Sequence, residues 1–261
     1  MTSRSRARRS AGVLAIALTA GLLTGAATAE QARAQTVATA PTARTAPAAT
    51  KRAVTNRAAT NRAATNLAAT VKAVAVVPTD FASGYQLVLI PGGDSTAGQI
   101  TMEFCGFRFT AEAHRVARHQ MLLLDATGRS TGLTNEVVAY DTVAQATKAL
   151  TEWNRAVATC RRGVYVASKV PGYLPQRLDS ATSGTLTTLP VATTAQTRYT
   201  YHLQGKPEQR YGIALLQRRG RVVTIVWYNT PVKPTATALN NVYAVARITG
   251  TRLARLAANR L

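Results

Sequence analysis

The chain has 261 residues, a net charge of +21 and only 6% aromatic residues. That length allows one or two domains, and a charge that high points to an anionic partner. A dedicated nucleic-acid binder is excluded, because the sequence carries no recognised nucleic-acid motif and no interleaving of basic with aromatic residues.

The charge is also spread unevenly. Arg4, Arg6, Arg8 and Arg9 precede an apolar run, Ala11 to Ala27, and Ala27-Thr28-Ala29 fits a small-x-small cleavage site. Residues 1–29 therefore read as a cleaved export signal. The residues after Arg8-Arg9 match a twin-arginine signal poorly, and no stable membrane anchor is expected after cleavage. Residues 30–77 are Ala-, Thr- and Arg-rich, with three tandem repeats that begin at Thr55, Thr60 and Thr65. A five-residue period builds neither a helical nor a strand face, so this stretch reads as a disordered basic linker. It serves either as a passive spacer or as loose adhesion to an anionic envelope. Removing residues 31–72 is expected to leave the melting temperature of the remainder unchanged.

From residue 78 to 261 the sequence reads as one α+β domain. Tyr85 to Ile90 is a strand pattern. Pro91-Gly92-Gly93-Asp94 follows as a turn, with no Gly-Lys-Ser/Thr to make it a phosphate loop. Ile100 to Phe104 reads as a strand that delivers Cys105. Thr110 is placed to cap a helix with Ala113, Val116, Ala117, Met121 and Leu124 on its buried face. His114, Arg115, Arg118 and His119 then form the densest cationic patch, which is either a solvated face or an anion-binding rim. The two histidines are five apart, which does not suit a metal pair on a helix, and no metal or cofactor is expected.

Thr134 to Tyr140 is a strand. Thr142 and Gln145 form a capping box for a helix that buries Val143, Ala146, Ala149, Leu150, Trp153, Val157 and Cys160. Cys105 and Cys160 are the only cysteines. In an exported chain they read as one disulfide, which adds roughly 4 kcal/mol in the chain-entropy view. Pro171 to Ser183 is loop-like. Gly184 to Leu189, Thr197 to Leu203, Tyr211 to Leu216 and Val222 to Tyr228 read as strands, the last two central and joined by a cationic hairpin tip. Ala236 to Ile248 is a closing helix that Gly250 interrupts. The order implies a mostly antiparallel sheet with two to three helices on one face.

Cys105-Gly106, Glu112 with Arg115 to Gln120, Asn135 to Tyr140 and a helix closing on Cys160 together resemble exported actinobacterial proteins similar to the extracellular sensor domain of PknH-type kinases. The resemblance covers roughly residues 80–230. It implies a sheet with helices on one side, a cleft and a ligand-sensing role. That sensor domain has two disulfides where this chain can form one, and no kinase domain is present here.

Catalytic patterns are absent from the sequence. There is no Gly-x-Ser-x-Gly and no His-Glu-x-x-His, and both thiols are committed to the bridge. Glu103, Glu136 and Asp141 are the acids that could pair for glycoside hydrolysis. The expectation is an exported, non-catalytic, monomeric domain that binds a small or envelope-derived ligand, with Arg115, Arg118, Tyr140, Tyr201 and Trp227 as candidate rim residues. The alternatives are a cell-wall interaction protein held to an anionic envelope polymer by its basic tail, and a hydrolase with an unrecognised site.

Overall fold

The two strands expected to be central pair with each other in the middle of an eight-stranded antiparallel sheet. In this computed structural model, which describes residues 66–170, 172–191 and 193–257, they are β7 (Gln209–Arg219) and β8 (Val222–Thr230), with Leu215 opposite Val226. The remaining strands are β1 (Gln86–Leu89), β2 (Arg115–Leu124), β3 (Ser130–Tyr140), β4 (Tyr165–Val166), β5 (Gln176–Gly184) and β6 (Thr193–Leu203). Their order across the sheet is β1-β2-β3-β8-β7-β6-β5-β4. The expected export signal, and the expected linker up to residue 65, lie outside the described residues.

Both faces of the central strands are apolar, so both must be covered. Ala214, Leu216, Val223 and Ile225 face α2 (Val143–Thr159), with Phe104 and Phe109 beside it. Ile213, Leu215 and Val226 face α3 (Ala236–Ala254). Val137, Ala139 and Val222 face the end of α3 and α1 (residues 66–74). The α+β class, the antiparallel sheet and the Cys105–Cys160 disulfide match the sequence reading. The helices, expected on one face, divide between the two.

Several local expectations give way. Residues 66–77, assigned to the linker, already belong to the fold: Leu67, Val71, Val74, Ala75 and Val76 are buried, and the Val76 amide donates to Asn135 Oδ1 at 3.1 Å. The helix expected from Thr110 is a single 3₁₀ turn, Thr110–His114, followed by β2. In β2, Ala117 and Leu123 face α1 and α3 while Arg118 faces the other layer. With charged Arg118 buried and apolar Val116 exposed, the strand loses the polar–apolar alternation that would have identified it. Ile100 to Phe104, expected as a strand, is irregular and pairs with no strand, yet it buries Thr101, Met102 and Phe104.

The strand expected at Gly184 to Leu189 lies earlier, as β5, a polar strand in which only Leu178 is buried. Helix α3 runs through Gly250, where a Cβ would collide with the Gln217 side chain. Gly250 is thus a close-approach residue and not a break. The Gly92-Gly93 pair has a similar explanation. A Cβ on Gly93 would stand 2.8 Å from the Gln120 carbonyl, and Gly93 O accepts from Gln120 N at 3.1 Å.

Candidate functional site

The segment between β1 and β2 is polar, yet it crosses a buried part of the sheet. Its polar groups therefore need partners, and β2 and β3 supply them. Arg115 Nε donates to Glu112 O at 2.9 Å, Nη1 to Thr101 Oγ1 at 2.7 Å, and Nη2 to Thr96 O at 3.3 Å and to Gln99 O. Arg118 donates to Glu136 Oε1 through Nε, to Gly92 O at 2.9 Å through Nη1, and to Gln120 Oε1 through Nη2. Thr101 joins the two halves: its amide donates to Glu112 Oε2 at 2.8 Å and its hydroxyl to Glu136 Oε1 at 2.9 Å.

The Arg115 and Arg118 side chains are only 5% and 3% exposed, and Glu136 is 0% exposed. Both guanidiniums are therefore held inside the domain and do not stand at a solvated rim. Burial pushes the Glu112 carboxyl up to about 7 against the pull of Arg115, and it raises Glu136 against the pull of Arg118. Tyr140 lies opposite Arg115 in the register and is fully buried. Burial, and then the charge of Glu112, hold its hydroxyl well above its ordinary value. Glu112 Oε1, Glu136 Oε2 and Tyr140 Oη have no hydrogen-bond partner among the described residues.

The other two candidates sit elsewhere on the same face. Trp227 packs edge-on against Trp153 at 5.2 Å. Tyr201 stacks obliquely on Tyr199 at 5.7 Å, and both hydroxyls donate to Asn229 Oδ1, at 3.4 and 3.0 Å. The structure thus brings Arg115, Arg118 and Tyr140 into one buried polar cluster, and places Tyr201 and Trp227 in an aromatic core. The sequence reading missed Glu112, Thr101 and Glu136 as the partners. Pairing 115–124 with 134–140 as strands would have found them, because that register sets Gln120 opposite Glu136 with Arg118 beside it.

Each histidine meets an aspartate through Nδ1: His114 with Asp141 at 2.8 Å, His119 with Asp94, and His202 with Asp179 at 2.8 Å. The His114 bond holds the Asp141 carboxyl low. Burial would raise Asp94, but its bonds to His119 and Lys72 outweigh that and leave it lowered. Among the described residues, no three or more His, Cys, Asp or Glu side chains are grouped to hold a metal ion, and no helix is long and apolar enough to cross a membrane.

Outward, the balance of charge changes. Nine of the ten acids in the described residues bond inside the domain: Asp80 to Arg252, Glu103 to the Ser168–Val170 turn, Glu152 to Thr110 and Ala111, Asp125 to Thr127 and Arg129, and the rest as above. Of the 21 cations there, six are in ion pairs with these acids. Fifteen have no carboxylate partner among the described residues.

No protein-family model and no curated protein matches the sequence. Among solved structures, the chain is similar to the extracellular domain of PknH from Mycobacterium tuberculosis, with 12% identity and a TM-score of 0.41 over 70% of this chain and 96% of that one. A likeness at that level concerns the general course of the chain alone.

Proposed function

We propose that the protein is an exported, non-catalytic recognition domain whose ligand is an anionic component of the cell envelope. The observation that carries this reading is the division of charge: the acids are spent on internal bonds, and fifteen cations are left without a carboxylate partner. Such a surface attracts polyanions over roughly a Debye length, about 8 Å at physiological ionic strength. The basic stretch before residue 66, which has no acid after Glu30, adds to the same field. A disulfide fits an oxidising compartment. A small ligand held by Arg115 and Arg118 has less support, because both guanidiniums are buried and already hydrogen-bonded inside the domain.

The test is cosedimentation of the protein with an envelope fraction across a salt series. Strong binding at about 50 mM salt that is lost by about 500 mM supports the reading. Binding that does not respond to salt overturns it.

A further inference from the structure

We propose that the outward side of α3, together with the tip of the β7–β8 hairpin, docks a linear phosphate-bearing polymer; this rests on the polyanion reading above. Arg247, Arg252 and Arg255 line a shallow recess along α3, floored by Ala244 and Ile248. Arg219 crosses from the hairpin to the carbonyl of Ala254, which places a fourth guanidinium at the C-terminal end of α3. The one acid that meets this group is Asp80, and Arg252 holds it bidentately at 2.6 and 2.8 Å. Arg247 and Arg255 are exposed, and neither has a carboxylate partner among the described residues.

The spacing favours a chain of anions over a single small one. Arg247 and Arg255 are eight residues apart, about 12 Å along the helix, and Arg219 continues the row. Every cation in the row is an arginine, whose planar fork donates two hydrogen bonds to the unbridged oxygens of a phosphodiester. Base stacking has no platform here: the nearby Tyr243 ring is covered by Arg198, 6.0 Å from its centroid. The backbone phosphates would be what is read.

The test measures binding of inorganic polyphosphate to the full chain and to two charge-matched variants. One is R219Q/R247Q/R255Q; the other is R161Q/R162Q/K169Q, at the far end of the sheet. The first should bind about tenfold more weakly, with a shallower dependence of affinity on salt, and the second should change less than about twofold. A single R247E variant, altered at one exposed position, should follow the first and guards against misfolding as the cause. Equal losses in the two triple variants overturn the assigned surface while leaving the polyanion reading in place. No binding by the unaltered chain at low salt overturns both. Equal affinity for polyglutamate overturns the choice of phosphate.

Discussion

The Arg118 guanidinium lies against the Glu136 carboxylate between β2 and β3, and neither side chain reaches solvent. Because Arg118 also holds the Gly92 carbonyl and Glu136 also holds Thr101, this pair fastens the segment before β2 to the sheet. Removing one partner strands the other charge in a dry place. Arg118→Met and Glu136→Met should each cost about 3–5 kcal/mol by denaturant unfolding. The double replacement Arg118→Met with Glu136→Met should cost clearly less than the sum of the two single losses. Additive losses would show that the pair acts as two independent packing residues.

Glu112 gives the domain a pH response of defined sign. Its folded-state value, about 7, lies above the ordinary 4.5. Between those values the folded chain keeps a proton that the unfolded chain has released, so stability falls as pH rises from 4.5 to 7 and is flat above that. The full effect is about 3 kcal/mol. Glu112→Gln should remove this slope, as read by melting temperature across pH 4.5–8. A slope unchanged in the variant would assign it to another group. Below pH 4 the opposite trend should appear: Asp94, Asp141 and Asp179 are held low in the fold, so stability is lost as they take up protons.

What was legible in the sequence was whatever depended on local pattern. The Thr142 cap, the apolar stripe of α2 and the β7–β8 hairpin follow from neighbouring residues, and Thr142 Oγ1 does accept from Gln145 N at 3.2 Å. The cysteine pair followed from compartment and count. What failed depended on partners distant in sequence. Arg118 reads as surface unless Glu136 is known to lie beside it, and β2, with Arg118 buried and Val116 exposed, shows no clean period of two. Val71 and Val74 sit in an Ala- and Thr-rich stretch too poor in apolar residues to suggest a core. They are buried because the α3 face of the sheet, lined by Val137, Ala139 and Val222, needs cover. The five candidate rim residues were chosen for cationic or aromatic character, and that same character serves here to fill and neutralise an interior.

Gly250 sets two effects against each other. In an exposed helix, Gly→Ala gains about 1 kcal/mol. Here the new methyl would meet the Gln217 side chain, whose Nε2 donates to Ala246 O at 2.7 Å and helps fix α3 to β7. Overpacking of this kind costs about 1–3 kcal/mol, so Gly250→Ala should be destabilising overall. Gly250→Ala combined with Gln217→Ala, which clears the space, should recover part of the loss. A stabilised single variant would mean that α3 can shift away from the sheet at little cost.

The contribution of α1 separates two truncations that the sequence alone treats as equivalent. Deleting residues 31–65 should leave the melting temperature unchanged, because that Ala-, Thr- and Arg-rich sequence has few large apolar residues to bury. Deleting residues 31–77 uncovers Val137 and Ala139 and removes the Val76 amide from Asn135 Oδ1. It also removes Lys72 from Asp94, 3.0 Å away, and the Ala75 carbonyl from Arg252, 2.7 Å away. Burial of Leu67, Val71 and Val74 alone is worth about 1.5–3 kcal/mol per side chain, a large share of the stability of an ordinary domain. The longer truncation should therefore be aggregation-prone or molten. Val71→Ala, a gentler change in the full chain, should cost about 2 kcal/mol and lower the melting temperature by roughly 4–8 °C. If Val71→Ala melts like the unaltered chain, α1 does not pack on the sheet in solution, and the folded part begins after it.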